Sequence, residues 1–235
     1  MIVSTCQPYF APYPGFFAKI MQSDACVLMD SVQFPQGTTW LTRNRFKGHQ
    51  GTLWMTIPVW KKGLGLQKIS EVTICHEGGW RRKHLESLKT VYAHAPFFGD
   101  HQGFLETIFS GSHDRLTDVN LAVIEYLVKH LGIKARLVLL SELEIDGKEP
   151  ELTMVVCKRL GATHFLAQKS AQKYLDAQAF RRDGVELLFF NTVSPVYPQL
   201  WGAFIPNLSV FDLLFNCGPR SEAIIRKSIK QKAVL

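Results

Sequence analysis

Residues 2–30, IVSTCQPYFAPYPGFFAKIMQSDACVLMD, contain the pattern that decides the fold. The run from Ile2 to Thr5 predicts a short strand, and a loop rich in proline and aromatic residues follows from Gln7 to Gly15. The pattern then predicts a brief helix, Phe16 to Gln22, and a buried strand, Ala25 to Met29. This order of elements favours a parallel sheet whose strand ends face a ligand crevice.

The next part of the chain has a different pattern. Two stretches rich in Trp, Thr, Ile and Val, Thr39 to Phe46 and Thr52 to Val59, are separated by a short polar segment and predict a β-hairpin. The sequence KKGLG, Lys61 to Gly65, predicts a mobile basic loop, and Ile69 to Ile74 predicts another strand. The hairpin therefore leaves the parallel sheet as an excursion.

Helices and strands fill the rest of the chain. Apolar spacing predicts three helices, Trp80 to Ala93, Gly103 to Phe109 and Thr117 to Leu131. The elements predicted after them are strand Arg136–Leu140, helix Glu151–Leu160, strand His164–Ala167, helix Ala177–Arg181, strand Val185–Phe190, helix Ser209–Asn216 and helix Ser221–Lys232. The sequence therefore predicts a single three-layer α/β domain over residues 1–235. Its mainly parallel, Rossmann-like sheet carries a hairpin excursion at about residues 39–59 and a helical insertion at about residues 79–131.

Composition excludes several classes of protein. Hydrophobic residues make up 46% of the 235 residues and charged residues 20%, which is typical of a globular domain. No run of about eighteen apolar residues predicts a membrane span, and the start lacks a secretory signal, so we expect a cytoplasmic protein. The five cysteines are scattered without a CxxC pair, and the histidines lack ligand spacing. We therefore expect no metal site and no disulfide framework.

The net charge of +7 favours an anionic partner, such as a phosphorylated metabolite, a nucleotide, a nucleic acid or acidic lipid head groups. Basic residues cluster at Arg43–Lys47, Lys61–Lys62, Arg81–Lys83 and Arg226–Lys232. Solvated surface is the alternative explanation of such clusters. A small substrate that bears phosphate or carboxylate is the partner that we expect.

The loop that follows the first predicted strand lies at the end where α/β sheets hold ligands. Gln7, Tyr9, Tyr13 and Gly15 are candidate substrate contacts, because prolines stiffen the loop and Gly15 permits close approach of the backbone. Free amides at the following helix start are candidate phosphate ligands. Cys6 is a candidate catalytic residue, since a neighbouring helix terminus can lower the pKa of a thiol. A packed aromatic corner and an inert buried thiol are the alternatives.

A second group of candidates surrounds the end of the second predicted strand. Asp30 ends that strand and is a candidate catalytic residue, as a general base, as the group that orients an amine or as a ligand of a metal ion. Arg43 and Arg45 alternate with Asn44, so the two guanidinium groups share a face and are candidates to bind phosphate or carboxylate. The candidate substrate contacts here are Gln33, Trp40, Arg43, Asn44 and Arg45. A turn-capping aspartate and exposed hairpin charges are the alternatives.

Further candidates occur late in the chain. Lys169 follows a predicted strand and is a candidate phosphate contact, and Tyr174 is a candidate for stacking on a base or sugar. Asp176 is either a substrate contact or a helix N-cap. Asp212 lies on an apolar helix, so its carboxylate is either a catalytic acid or base or the salt-bridge partner of a buried arginine.

Four segments of the chain carry a family resemblance. They are Gln7-Pro8 with Pro12–Phe16, Leu28–Phe34 running on to Trp40 and Arg43-Asn44-Arg45, Lys169–Asp176, and Leu208–Gly218. Together, in this order and over nearly the whole chain, they resemble the WbqC-like family. The chain departs from the family pattern at Cys6, where histidine is common, and at Gln168 and Ser170, where glycines are common.

The resemblance implies a transferase of surface-polysaccharide pathways, such as O-antigen and lipopolysaccharide biosynthesis, that attaches glycine or another acyl unit to an amino sugar. On this hypothesis the enzyme forms an amide on an amino-sugar nucleotide or related metabolite. The identity of the acyl donor stays open. The candidates involve ATP, a coenzyme A thioester or a carrier-protein thioester, and the last of these would make an acyl carrier protein a partner. A non-catalytic or nucleic-acid-binding module is the alternative function, and a family member that has lost activity is a third.

Overall fold

The computed structural model of the chain describes residues 1–230 and 233–234. The strands in this part are β1 (Ile2–Cys6), β2 (Ala25–Leu28), β3 (Arg43–Gly48), β4 (Gly51–Thr56), β5 (Arg136–Leu139), β6 (His164–Gln168), β7 (Glu186–Phe190) and β8 (Ala233–Val234). The central sheet has the order β5-β2-β1-β6-β7-β8, and neighbours are parallel except at the β7–β8 edge. β3 and β4 form a separate antiparallel hairpin.

The helices are α1 (Pro14–Ile20), α2 (Trp80–Tyr92), α3 (Phe98–Ser110), α4 (Leu116–His130), α5 (Glu151–Leu160), α6 (Ala177–Arg182), α7 (Val210–Cys217) and α8 (Ser221–Lys227). Strand side chains alternate between the faces of the sheet. Val3 and Val27 join a cluster with α5 and α6, whereas Cys26 and Leu28 join a larger cluster with the other helices. The prediction of a three-layer domain with a mainly parallel sheet and a hairpin is therefore confirmed. No helix in the described residues is long and apolar enough to cross a membrane.

The order of the strands creates a switch point between β1 and β6. From β1 the chain builds outward through β2 and β5, and it then returns to the other side of β1 to add β6 and β7. The ladder between β1 and β6 consists of two residue pairs and ends at Val3 and Phe165, although β6 continues beside β7 to Gln168. The two strands therefore diverge toward their carboxyl ends, where open α/β sheets bind ligands.

One predicted strand is wrong. Residues 69–74 contain a 3₁₀ turn, Ile69–Glu71, followed by isolated bridges through Thr73 and Ile74. The carboxylate of Glu71 accepts a 2.8 Å hydrogen bond from the backbone amide of Lys68, which closes the turn. This local contact outweighs the strand preference of the β-branched residues.

The end of the chain also differs from the prediction. The last helix was expected from Ser221 to Lys232, but α8 ends at Lys227. Lys232 itself lies outside the described residues, and the following β8 pairs antiparallel with β7. Backbone pairing with a strand more than forty residues earlier is a tertiary contact that local spacing does not encode.

Candidate functional site

A crevice of about 840 Å³ opens where β1 and β6 diverge. Its floor comes from the ends of three parallel strands and the residues just beyond them, and the floor residues are Thr5, Cys6, Met29, Phe165, Ala167 and Gln168. The walls come from the loop after β1, from α1, and from residues 31–33, 66–68, 146–149 and 170–175. The crevice therefore occupies the position at which Rossmann-like sheets bind their ligands.

Cys6 presents a half-buried thiol in this crevice. The pKa of the Cys6 thiol is lowered to about 7, chiefly because the thiol of Cys26 on the neighbouring strand hydrogen-bonds to it. The positive charge of Lys19 lowers the pKa further, and burial opposes both effects. The pKa of Cys26 is raised by the same hydrogen bond, so Cys26 stays protonated and acts as the donor. A lowered pKa is typical of reactive cysteines, so Cys6 stays the candidate nucleophile of this crevice.

Lys19 is a crevice residue that the sequence analysis missed. It is 4% exposed, lines the crevice from α1, and donates a 2.7 Å hydrogen bond from Nζ to the carbonyl oxygen of Thr5. An ammonium group has three protons to donate, so this contact leaves capacity for a thiolate or a substrate anion. The signal in the sequence was a single cation inside the apolar run FFAKIM, residues 16–21.

The aromatic loop after β1 packs around Cys6. Burial raises the pKa of the hydroxyl groups of Tyr9 and Tyr13, and the nearby Cys6 thiolate contributes to both shifts. Tyr9 lines the crevice, whereas the ring of Tyr13 covers the start of α1. A Cβ atom at Gly15 would lie 2.6 Å from that ring, so only glycine fits there. The expected phosphate site at this helix start is therefore covered by Tyr13.

Two buried asparagines fix this loop. The side-chain amide of Asn44 donates hydrogen bonds of 2.9 and 2.8 Å to the carbonyl oxygens of Phe10 and Ala11. The amide of Asn120 donates a 2.8 Å hydrogen bond to the carbonyl oxygen of Pro8. Asn44, a predicted substrate contact, is 1% exposed and thus positions the loop rather than lining the crevice.

Polar groups form the rim of the crevice. Lys68 and Asp146 form a 3.2 Å salt bridge between two of its walls. The hydroxyl of Thr153 donates a 2.6 Å hydrogen bond to the carboxylate of Glu149. Gln33 lines the crevice, as the sequence predicted, and Tyr174 lies at the rim with 60% of its surface exposed. Gln7, which is also a predicted substrate contact, lines the crevice as well.

Asp30 lies at the expected end of β2, but its carboxylate is engaged elsewhere. It accepts a 3.0 Å hydrogen bond from the backbone amide of Ser141 and a 2.6 Å hydrogen bond from the Ser141 hydroxyl. Asp30 is 4% exposed and is not among the residues that line the crevice. The geometry favours the turn-capping alternative, and its proposed role as a base stays a prediction.

Three other candidate residues do not line the crevice themselves. Asp176 caps α6, since its carboxylate accepts a 2.8 Å hydrogen bond from the amide of Gln178. Asp212 is fully buried and accepts a 2.8 Å hydrogen bond from the hydroxyl of Tyr92. Burial raises the pKa of Asp212, while Tyr92 and the charge of Lys47 lower it. Lys169 borders the crevice between Gln168 and Ser170, which both line it.

The two predicted arginine contacts belong to a Trp–Arg cluster on the hairpin, made of Trp40, Arg43, Arg45 and Trp54. The rings of Trp40 and Trp54 stack with centroids 5.9 Å apart, and the guanidinium of Arg43 lies 4.2 Å from the Trp54 centroid. Arg45 donates hydrogen bonds to the carbonyl oxygens of residues 206 and 207. The cluster lies outside the crevice lining, so the structure separates it from Cys6.

The described residues, 1–230 and 233–234, contain no group of three or more His, Cys, Asp or Glu side chains that could hold a metal ion. The polar groups of the crevice are a thiol, amides, hydroxyls, ammonium groups and the carboxylates of Asp146 and Glu149. These groups suit nucleophilic chemistry and the binding of an organic anion.

The fold and the crevice define a Rossmann-like α/β protein with an open crevice at its switch point. The chain belongs to the WbqC-like protein family, whose model matches residues 7–224. It is 32% identical over 227 residues to the Mycobacterium tuberculosis (strain ATCC 25618 / H37Rv) protein described as "Uncharacterized protein Rv1507c". That alignment covers 95% of this chain and 97% of the relative. No solved structure matches significantly.

Proposed function

We propose that the protein is an acyl or aminoacyl transferase that forms an amide on an amino-sugar nucleotide or a related metabolite. The observation that carries this proposal is the Cys6 thiol, half-buried in the crevice with a pKa of about 7. A thiolate of this kind is suited to accept an acyl group and to release it to an amine. Free thiols at Cys6 and Cys26 also suit the reducing cytoplasm, where we place the reaction.

The reaction has two steps. In the first, the Cys6 thiolate attacks the carbonyl carbon of an activated donor, such as a thioester. A bond forms between this carbon and the Cys6 sulfur, and the bond to the donor's leaving group breaks. In the second step the acceptor amine attacks the same carbon, an amide bond forms, and the bond to Cys6 breaks. The proton lost by the amine restores the Cys6 thiol, so atoms and charge balance.

The size and charge of the crevice support a phosphorylated acceptor. A volume of about 840 Å³ lies in the range of sites for small molecules and cofactors. The crevice is lined by three cations, Lys19, Lys68 and Lys148, and by two carboxylates, Asp146 and Glu149. The excess of cations favours an anionic ligand such as the diphosphate of a nucleotide sugar. Gln7, Gln33 and Tyr174 provide hydrogen bonds and a ring for the sugar.

A surface-polysaccharide pathway is part of the same proposal, and it is supported by the resemblance to the WbqC-like family alone. The test is to incubate the purified protein with glycyl-pantetheine and to digest it for peptide mass spectrometry. We expect one glycyl group on the Cys6 peptide and its release on addition of a UDP-linked amino sugar. Cys6→Ser should abolish both signals, whereas the matched Cys75→Ser, at another half-buried cysteine, should keep them. Equal labelling of the Cys6→Ser protein contradicts the proposal.

A further inference from the structure

A basic aromatic surface lies on the hairpin and on the segment that follows it. We call it the hairpin surface, and it consists of Trp40, Arg43, Trp54, Trp60, Lys61 and Leu64. The three tryptophans expose between 41% and 47% of their surface, and Leu64 exposes 50%. The hydrogen bond from Lys61 to the carbonyl oxygen of Gly37, three residues before Trp40, connects the segment after the hairpin to the chain that leads into it. Large apolar side chains exposed on neighbouring segments mark an interaction site more often than a surface that contacts only water.

Four side chains of this surface are held in place before any partner binds. Arg43 lies over the ring of Trp54, which stacks on Trp40. The ammonium of Lys61 donates a 3.2 Å hydrogen bond to the carbonyl oxygen of Gly37 and lies 4.8 Å from the centroid of the Phe34 ring. Fixed side chains lose little entropy on binding, and Trp and Arg are the residues that dominate protein interfaces.

The charge of the surface indicates an acidic partner. Arg43 and Lys61 take part in none of the salt bridges formed within the described residues 1–230 and 233–234. Lys62 is exposed next to them, and the chain as a whole carries a net charge of +7. Cations left without carboxylates are complementary to a negatively charged surface and steer its approach.

The ring contacts favour a protein over a single-stranded nucleic acid. Binding of single strands relies on aromatic faces that are open for bases to stack on them. The ring of Trp54 contacts both Trp40 and the Arg43 guanidinium, and Arg45 lies 5.9 Å from the Trp40 centroid. The rings of Trp40 and Trp54 are already engaged by their neighbours, so they offer less open ring surface for bases to stack on.

The Trp60 end of the hairpin surface lies beside the mouth of the crevice. The chain runs from Trp60 to Lys68, and Leu66, which exposes 69% of its surface, lines the crevice with Gln67 and Lys68. The side-chain amide of Gln67 donates a 3.3 Å hydrogen bond to the carbonyl oxygen of Trp60, which ties the two ends of this segment together. A partner that docks on the hairpin surface therefore lies beside the crevice that contains Cys6.

We propose that the hairpin surface docks an acidic carrier protein, which presents the acyl group to Cys6 as a thioester on a flexible arm. This inference rests on the proposed function and selects the donor class. The Cys6 thiolate attacks the thioester carbonyl carbon, its sulfur forms a bond to that carbon, and the bond to the arm's sulfur breaks. The carrier leaves as a thiolate and takes a proton from water.

The test compares two donors of the same glycyl group: glycyl-pantetheine and a purified holo acyl carrier protein loaded with glycine. The Trp54→Ala/Lys61→Glu variant should acylate Cys6 about tenfold more slowly from the carrier protein, because it loses an anchor and reverses a charge. Its rate with glycyl-pantetheine should match that of the wild type. Added salt should slow the reaction of the carrier protein with the wild type, but not its reaction with the variant.

Lys134→Glu is the matched control, since this exposed cation lies near the amino end of β5, whereas the crevice opens at the carboxyl ends of the strands. It should leave both reactions unchanged. Carrier binding is measured separately by fluorescence anisotropy with the Cys6→Ser protein. Tight binding without acylation of wild-type Cys6 by either donor supports the docking surface and defeats the proposed function. Acylation by glycyl-pantetheine with no carrier binding, or binding of a DNA oligonucleotide instead, overturns the docking surface alone.

Discussion

The buried ammonium of Lys19 donates a 2.7 Å hydrogen bond to the carbonyl oxygen of Thr5, at the point where β1 leaves the β6 ladder. Thr5 follows the last paired residue of that ladder, Val3, by two positions. The divergence of the strands thus creates both the crevice and a place for a cation inside it. A buried charge with spare donors is costly unless an anion lies nearby, and the Cys6 thiolate meets that need.

Replacing Lys19 by methionine should raise the pKa of the Cys6 thiol, because the positive charge of Lys19 lowers that pKa. A rise of about one pH unit from a value near 7 would reduce the thiolate fraction at pH 7 roughly fivefold. The measurement is the rate of alkylation of Cys6 by iodoacetamide against pH, followed by peptide mass spectrometry. Lys134→Met, at an exposed position, should leave the profile in place. An unchanged alkylation midpoint in Lys19→Met would show that Lys19 does not lower the pKa of the Cys6 thiol.

Cys26 should have the larger influence on Cys6, since its hydrogen bond is the main cause of the lowered pKa. Replacing Cys26 by alanine removes the donor, so the alkylation midpoint of Cys6 should move from about 7 toward the ordinary thiol value of 9.0. Because the thiolate is the reactive form, alkylation at pH 7 should become slower in this variant.

Cys26→Ser is the matched variant, because its hydroxyl keeps a donor at the same position on β2. We expect its alkylation midpoint to lie closer to the wild-type value than that of Cys26→Ala. If both variants keep the wild-type profile, the contact between the neighbouring strands does not set the reactivity of Cys6.

Local sequence patterns predicted most of the fold. The helix from Glu151 to Leu160 has the bounds that the sequence predicted, because Gly161 adopts the left-handed conformation that ends helices. The strand expected at residues 69–74 was wrong because the turn contact between Lys68 and Glu71 overrides strand propensity. The pairing of β8 with β7 was missed because it depends on a distant strand.

The site was harder to predict than the fold. Cys6 and Gln33 line the crevice because they follow the ends of parallel strands, a position that the order of elements reveals. Lys19 was missed because its burial depends on how α1 packs across β1. Asp30 follows a strand end too, but its partner Ser141 lies 111 residues away and draws the carboxylate away from the crevice lining.

Asn44→Ala should destabilise the protein, since the carbonyl oxygens of Phe10 and Ala11 would lose a buried hydrogen-bond donor. Each unsatisfied buried group costs roughly 1–3 kcal/mol, so we expect the free energy of unfolding to fall by about 2–4 kcal/mol. Urea unfolding followed by tryptophan fluorescence measures the change. Asn191→Ala, at an exposed position, is the control and should change the stability by less than about 0.5 kcal/mol.

Asp30→Asn distinguishes a structural carboxylate from a general base. The variant keeps one carbonyl oxygen as an acceptor but loses the charge that strengthens the bonds to the amide and hydroxyl of Ser141. If Asp30 caps this turn, the free energy of unfolding should fall by about 1–3 kcal/mol, and glycyl transfer from Cys6 to the amine should change less than about twofold. Because the folded variant is assayed below its unfolding transition, the two effects can be separated. A transfer rate reduced about a hundredfold or more, with stability unchanged, would instead identify Asp30 as the base that deprotonates the amine.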